Sequence, residues 1–344
     1  MSALAPLPPQ PEGVPWPTRA WPEGSPGPGV DAAHVAGLCE PLFAEPAPQS
    51  HGKTSALLVV QRGQLVLERY AAGLGRGTSL RSWSMAKSIT HALVGLLHGD
   101  GRLDLDAPAP VPAWRQVGDP RGAITLEQML RMLDGLDFVE VYEASGRSDV
   151  VEMLFGSGKD DVAGYAEARP LAHPPGRVWS YSSGTTNIVA AILARTLGGG
   201  QEGLLDFMRA RLFDPLGMTS ASPRFDAAGN FVGSSYVFAT ARDFARFGLL
   251  YLRDGVWEGR RLLPAGWVDH ARTPTPGSDG QYGAGWWLAQ DGSGIFSANG
   301  FQCQYILAVP SRDLVVVRLG ESDHAQKPAV LRSLKELVGC FPKV

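Results

Sequence analysis

The sequence predicts a mixed α/β (α+β) fold: an antiparallel sheet flanked by helices and interrupted by an inserted, mainly helical domain. Three observations predict it. Two strand-like segments, residues 55–61 and 64–70, lie near the start of the 344-residue chain and are joined by Arg62-Gly63. Strand character returns near the end, over residues 283–288, 305–309 and 314–318. Between them, more than 100 residues read as helix and loop. Strands at both ends of a helical middle form one sheet when the middle is an insertion. This predicts a proline-rich arm over residues 1–30, a discontinuous α/β domain over 31–98 and 225–344, and a helical domain over 99–224.

Each element has a local reason. Nine of the 27 prolines fall in residues 1–30, which forbids helix and sheet there, and Trp16 and Trp21 are expected to pin this arm to the body. Asp31 is a plausible N-cap for a short helix with Val35, Leu38, Leu42 and Phe43 on its apolar face. The run Ala56 to Val60 is wholly apolar, so its strand belongs inside a covered sheet. A helix follows from Ser84 to the breaker Gly99-Asp100-Gly101. Thr125 caps another. Residues 187–197 form an apolar helix stopped by Gly198-Gly199-Gly200, and Thr240 opens an amphipathic helix with Phe244, Phe247 and Leu250 on one side. The second and third late strands are joined by Pro310-Ser311-Arg312-Asp313, and a helix over residues 329–338 closes the chain.

Composition excludes several function classes. With 44% hydrophobic residues the chain can bury a large core. A net charge of −3, a pI near 6.2 and interspersed charges leave no basic stripe for nucleic acid. Cys39, Cys303 and Cys340 are odd in number and widely spread, which suggests reduced thiols and gives no metal spacing, and the seven histidines contain no His-x-x-x-His pair. No metal or other cofactor is expected. The N-terminus lacks the basic start and apolar core of a signal peptide, and no stretch approaches a membrane span, so a cytoplasmic protein is expected. The oligomeric state is left open, a homodimer included.

The chemistry centres on Ser82-Trp83-Ser84-Met85-Ala86-Lys87. If Met85, Ile89, Leu93, Leu96 and Leu97 form a helical stripe, Ser84 lies in its first turn and Lys87 one turn on, on the same face. A serine hydroxyl needs a base, and a lysine is one only when burial or a neighbouring cation lowers its pKa. Ser50-His51-Gly52-Lys53 repeats the spacing in a Pro/Gly-flanked loop and reads as chance. The second candidate is Tyr181-Ser182-Ser183; of the eight tyrosines only Tyr181 has Ser or Asn two positions on. Its phenol could relay a proton while Ser183 holds the lysine. A buried aromatic ahead of a helix capped by serines would give the same string.

Ser-x-x-Lys after a strand pair, then Tyr-x-Ser 97 positions further across a helical segment, resembles the serine β-lactamase and penicillin-binding protein superfamily. The branch with Tyr in its second motif is similar to class C β-lactamases, family VIII carboxylesterases and 6-aminohexanoate-dimer hydrolases. Phe238-Ala239-Thr240-Ala241-Arg242-Asp243, Tyr282-Gly283-Ala284-Gly285-Trp286-Trp287, and Val309-Pro310 followed by residues 314–320 also resemble it, over residues 54–337 in all. The resemblance implies a β-lactamase/transpeptidase-like fold. It also implies an oxyanion hole made by the backbone N–H groups of Ser84 and Phe301, with Gly300 letting its strand approach the substrate. The family's third motif is Lys-Thr-Gly or His/Trp-x-Gly; here the matching place reads Ala298-Asn299-Gly300-Phe301, without Lys or His, and that departure argues against efficient β-lactam hydrolysis.

Other strings are set aside. Trp257-Glu258-Gly259 lies in a turn, Gly156-Ser157-Gly158-Lys159 lacks the first glycine of a phosphate loop, and Asp100, Asp104 and Asp106 lack calcium-loop spacing. No Gly-x-Ser-x-Gly elbow exists. The expected function is therefore a serine hydrolase of small esters, with small linear amides next. A weak or broad β-lactamase, or a non-catalytic binding protein of the same fold, is the alternative.

Overall fold

The run Lys53–Gln61 alternates between two cores, and that alternation sets the architecture. In the computed structural model, which describes residues 4–44, 49–142 and 146–344, this strand (β1) sends Ala56, Leu58 and Val60 into a large core on one face and Leu57 and Val59 into a smaller one on the other. It pairs with Gln64–Tyr70 (β2) through the Arg62-Gly63 turn, as the sequence predicts.

Chain order then gives the short strands Leu80–Arg81 (β3), Ser222–Pro223 (β4), Val237–Ala239 (β5), Val256–Trp257 (β6) and Arg260–Arg261 (β7). Trp287–Leu288 (β8), Phe296–Gly300 (β9), Gln304–Val309 (β10) and Leu314–Glu321 (β11) complete the set. The main sheet is antiparallel and six-stranded, in the order β2-β1-β11-β10-β9-β8. The first and last segments of the chain therefore meet at its centre.

Helices Ala32–Phe43 and Lys327–Gly339 cover one face, where Val35, Cys39, Leu42, Val330, Leu334 and Leu337 meet Leu57, Val59 and Val316. Cys39 takes the place expected of Leu38, because positions 35, 39 and 42 share one helical face. On the other face lie Ala86–Gly99 and Ala241–Leu252. Gly248 allows this close approach: a Cβ there would stand 2.6 Å from Ile306 and 2.8 Å from Val315.

Three segments differ from expectation. Only Trp287–Leu288 of the expected 283–288 strand is extended, since the Gly283 N–H bonds to the Trp286 carbonyl at 2.9 Å and Gly285 has φ +68°, which closes a tight turn. The extra strand β9 carries Ser297, Asn299 and Gly300, residues of low strand propensity, yet it is paired on both sides. The helix expected from Asn187 starts four residues earlier, at Ser183, because Ser182 caps it by accepting from the Thr185 N–H.

The proline-rich arm borders the outer edge of β2. The Gly24 N–H bonds to the Leu65 carbonyl at 3.0 Å and the Leu65 N–H to the Pro22 carbonyl at 2.8 Å. Trp21 is buried and Trp16 packs 4.9 Å from Trp257, so both tryptophans pin the arm as predicted and the open edge is covered.

Candidate active site

The turn Trp83–Met85 leads into the Ala86–Gly99 helix and carries Ser84. Trp83 has φ +45°, a left-handed conformation that costs a bulky residue about 1–3 kcal/mol. Neighbours hold it there. The Ser82 N–H bonds to the Val237 carbonyl at 2.9 Å, and the Val237 N–H returns to Ser82 Oγ at 3.0 Å. The Trp83 indole lies 5.6 Å from Phe301 and 5.8 Å from Tyr236, and its N–H donates to Gln302 Oε1. Ser84 is thereby turned toward the cleft and remains partly exposed.

Lys87, only 3% exposed, points back along the helix at Ser84. Nζ contacts Ser84 Oγ at 3.0 Å, Ser183 Oγ at 2.9 Å and the Ser234 carbonyl at 3.1 Å. Ser183 is itself committed: its N–H and its hydroxyl donate to the two oxygens of Glu140, at 2.7 and 2.6 Å. A carboxylate only accepts, so Ser183 must accept from Lys87, as the Ser234 carbonyl must. A neutral Lys87 then spends both N–H groups on these two partners, and its lone pair faces the Ser84 hydroxyl. Burial brings the Lys87 pKa down to about 8, against the opposing pull of the Glu140 charge.

The two tyrosines flank this pair. The Tyr181 ring lies beneath the Lys87 ammonium, 4.8 Å from Nζ, and is packed by Tyr282 and Trp287. Burial, then the charges of Tyr282, Tyr142 and Glu140, push its phenol well above the usual range, with a small opposing contribution from Ser84. The phenol is protonated at neutral pH. Tyr142 donates to Glu140 at 2.6 Å and stacks 5.0 Å from Phe301.

Phe301 follows β9. A Cβ on Gly300 would stand 2.4 Å from the Ser82 carbonyl, so this glycine lets the strand touch the turn that carries Ser84. Gly300→Ala is expected to push the two apart and cost about 1–3 kcal/mol in chemical denaturation, with reduced turnover. Among the described residues, neither the Ser84 nor the Phe301 N–H donates to a distant part of the chain. Arg318, fully buried, donates to the Gln302 and Cys303 carbonyls at 3.0 Å each and fixes the bend after Phe301.

On the Ala86–Gly99 helix, buried His91 contacts the Tyr251 hydroxyl at 2.9 Å and His270 at 3.1 Å, and His270 reaches Glu127 at 2.7 Å. Burial, then His270 and Arg131, push the His91 pKa well below its ordinary value. Burial alone would raise the Glu127 carboxyl, but His270 and Arg131 together hold it down to about 2. Both folded-state pKa values are depressed, so both contributions are present at neutral pH and lost on acidification. His91 acts below pH about 6.5, and Glu127 acts from about 4.3 toward 2. Thermal melts are expected to fall from pH 7 to 5 at up to about 1.4 kcal/mol per pH unit, and to fall further below 4. A melting temperature unchanged between pH 7 and 5 would exclude a neutral, buried His91.

A cavity of about 540 Å³ opens over the site, lined among others by Ser84, Glu140, Tyr142, Tyr181, Asn299 and Phe301. The fold thus brings together Ser84, Lys87, Tyr181, Ser183, Gly300 and Phe301. Glu140, Tyr142 and Arg318 escaped sequence reasoning because no motif spacing marks them. The second Ser-x-x-Lys copy stands apart, with Ser50 on His51 and Lys53 opening β1. Trp257-Glu258-Gly259 forms the turn of the β6–β7 hairpin, as expected. Among the described residues no three His, Cys, Asp or Glu side chains are grouped to hold a metal ion, and no helix is long and apolar enough to cross a membrane.

The 6-aminohexanoate-dimer hydrolase of Paenarthrobacter ureafaciens is 27% identical over 286 residues, 77% of this chain and 72% of that protein. A Bacillus anthracis structure provisionally named a 6-aminohexanoate-dimer hydrolase superposes with a TM-score of 0.75 at 22% identity, covering 94% of this chain and 89% of that one. A family VIII carboxylesterase superposes at 0.67 and 13% identity, covering 92% and 99%. The beta-lactamase family profile matches residues 42–338, and with that span matched the chain belongs to the beta-lactamase family and has its α/β fold.

Proposed function

We propose that the protein hydrolyses small esters and amides through an acyl-enzyme on Ser84. The observation that carries this reading is the fixed hydrogen-bond polarity at Lys87, which leaves a neutral amine only Ser84 to deprotonate. Ser84 Oγ bonds to the substrate carbonyl carbon as its proton passes to Lys87, and the carbonyl π pair moves onto oxygen. The Ser84 and Phe301 N–H groups receive that oxyanion. Tyr181, held protonated, gives its proton to the departing oxygen or nitrogen and is reprotonated by Lys87. Water, losing its proton to the same pair, attacks the acyl carbon, and that proton passes to Ser84 Oγ as the ester bond breaks to release the acid.

The curated relative from Paenarthrobacter ureafaciens supports including amides. So does the Asn299 side-chain oxygen, which is buried in the cavity lining without a partner among the described residues and can accept an amide N–H. Ala298, two residues before Gly300 where the family's motif has its Lys or His, supports poor handling of β-lactam carboxylates. Fluorophosphonate treatment followed by peptide mass spectrometry is expected to place one adduct on Ser84, absent in Ser84→Ala. A folded protein with no adduct there would favour a binding role. A chromogenic cephalosporin cleaved faster than a butyrate ester would overturn the substrate ranking.

A further inference from the structure

A second recess of about 310 Å³ is lined by Tyr236, which packs 5.8 Å from Trp83, and by three cations: Arg81, Lys159 and Arg224. Arg81 and Arg224 are set by the small sheet. Arg81 on β3 is directly opposite Phe238 on β5, and the Arg224 N–H bonds to the Tyr236 carbonyl at 3.0 Å. Their guanidinium groups share one aromatic strip: Arg81 lies 5.4 Å and Arg224 5.2 Å from the Phe238 ring, and Arg81 also lies 4.6 Å from Trp83. Lys159 arrives from the Gly156-Ser157-Gly158-Lys159 turn that resembles a phosphate loop only in part.

Among the described residues none of the three is in an ion pair. The acidic lining residue, Asp226, is already occupied: its carboxylate accepts from the Val162 N–H and the Asn230 N–H at 2.8 Å each, and from Asn230 Nδ2 at 3.2 Å. Like charges gathered on one aromatic strip repel, and an entering anion relieves that repulsion. Planar guanidinium groups suit a carboxylate.

The recess shares a wall residue with a cleft beside Ser84. A narrow cleft of about 50 Å³ beside Ser84 is walled by Trp83, Val150, Leu154, Phe155 and Phe301, and Leu154 also walls the cationic recess. Arg81 is three residues from Ser84, so their Cα atoms are at most about 11 Å apart. The wide catalytic cavity gives a leaving group and water free passage, whereas the narrow apolar cleft suits the part that stays bonded to Ser84.

We infer that the recess binds a free carboxylate at the far end of the acyl chain, so that the preferred substrates are esters or amides of dicarboxylic half-acids with an apolar spacer. This rests on Ser84 being the nucleophile, and the test separates the two readings. The full chain is assayed at low salt with 4-nitrophenyl hexanoate and mono-4-nitrophenyl adipate. Wild type is expected to favour the adipate ester about tenfold or more in kcat/KM. R81Q/R224Q is expected to lose that preference while keeping hexanoate turnover within about twofold; R224Q, which leaves the Trp83 stack intact, should lose part of it. Hexanoate turnover with no adipate preference, or a preference that survives R81Q/R224Q, overturns the inference and spares the nucleophile. If neither ester turns over while Ser84 still takes the fluorophosphonate, adipate should slow labelling of wild type but not of R81Q/R224Q, and no slowing overturns it. No turnover and no labelling refutes the nucleophile, and the inference with it.

Discussion

Lys87→Met is expected to lower kcat by about 10²- to 10⁴-fold, the usual contribution of a positioned general base, while leaving the fold intact. Methionine fills the same channel without the cost of burying an ammonium among Ser183, Ser234 and the Tyr181 ring. The wild-type pH profile gives the sign. If Lys87 works as the neutral amine, then with its pKa lowered to about 8, kcat/KM is expected to rise with pH and level off above about 8. Glu140 opposes that lowering, so Glu140→Gln should move the rising limb to lower pH. It should also lower the plateau by about tenfold, because an amide no longer forces the Ser183 hydroxyl to accept from Lys87. A limb that stays near 8 or moves up in Glu140→Gln would remove Glu140 from the proton path. A Lys87→Met enzyme as active as wild type would remove Lys87.

Ser84, Lys87, Tyr181 and Ser183 were legible because their spacing is local. Ser84 and Lys87 lie one helical turn apart, and Ser183 opens the helix that begins two residues after Tyr181. The outer frame was legible for a related reason: β1, β10 and β11 are nearly unbroken apolar runs, buried on both sides. Glu140 was not legible. It lies in irregular chain, and its role comes from a contact 43 residues away with Ser183, which no periodicity encodes. Strand β9 was missed because Ser297, Asn299 and Gly300 have little strand preference; tertiary pairing with β8 and β10 overrides it. The cations at Arg81, Lys159 and Arg224 belong to three separated segments, and only the folded chain gathers them.

Arg318→Met is expected to damage both stability and turnover. The guanidinium, with no carboxylate partner among the described residues, serves the carbonyls of Gln302, Cys303 and Lys53 and the hydroxyls of Thr54 and Ser322. Burial lowers its pKa to about 10, so it stays charged at neutral pH. Gln302 and Cys303 are consecutive non-glycine residues at φ +60° and +63°, each costing about 1–3 kcal/mol, and the two bonds from Arg318 oppose their relaxation. Removing the guanidinium strands several buried acceptors at about 1–3 kcal/mol each before they find other partners, so a loss on the order of 3 kcal/mol is expected in chemical denaturation. Relaxation of the bend would also swing the Phe301 N–H away from the oxyanion, at about 10²-fold in kcat. Arg318→Lys separates the two effects, since it keeps the charge but has three donors in place of the planar fork. If Arg318 positions the oxyanion strand, Arg318→Lys loses kcat while the pH limb near 8 stays where it is. A variant that is destabilised yet keeps kcat within about twofold would show that Arg318 only holds the sheet together.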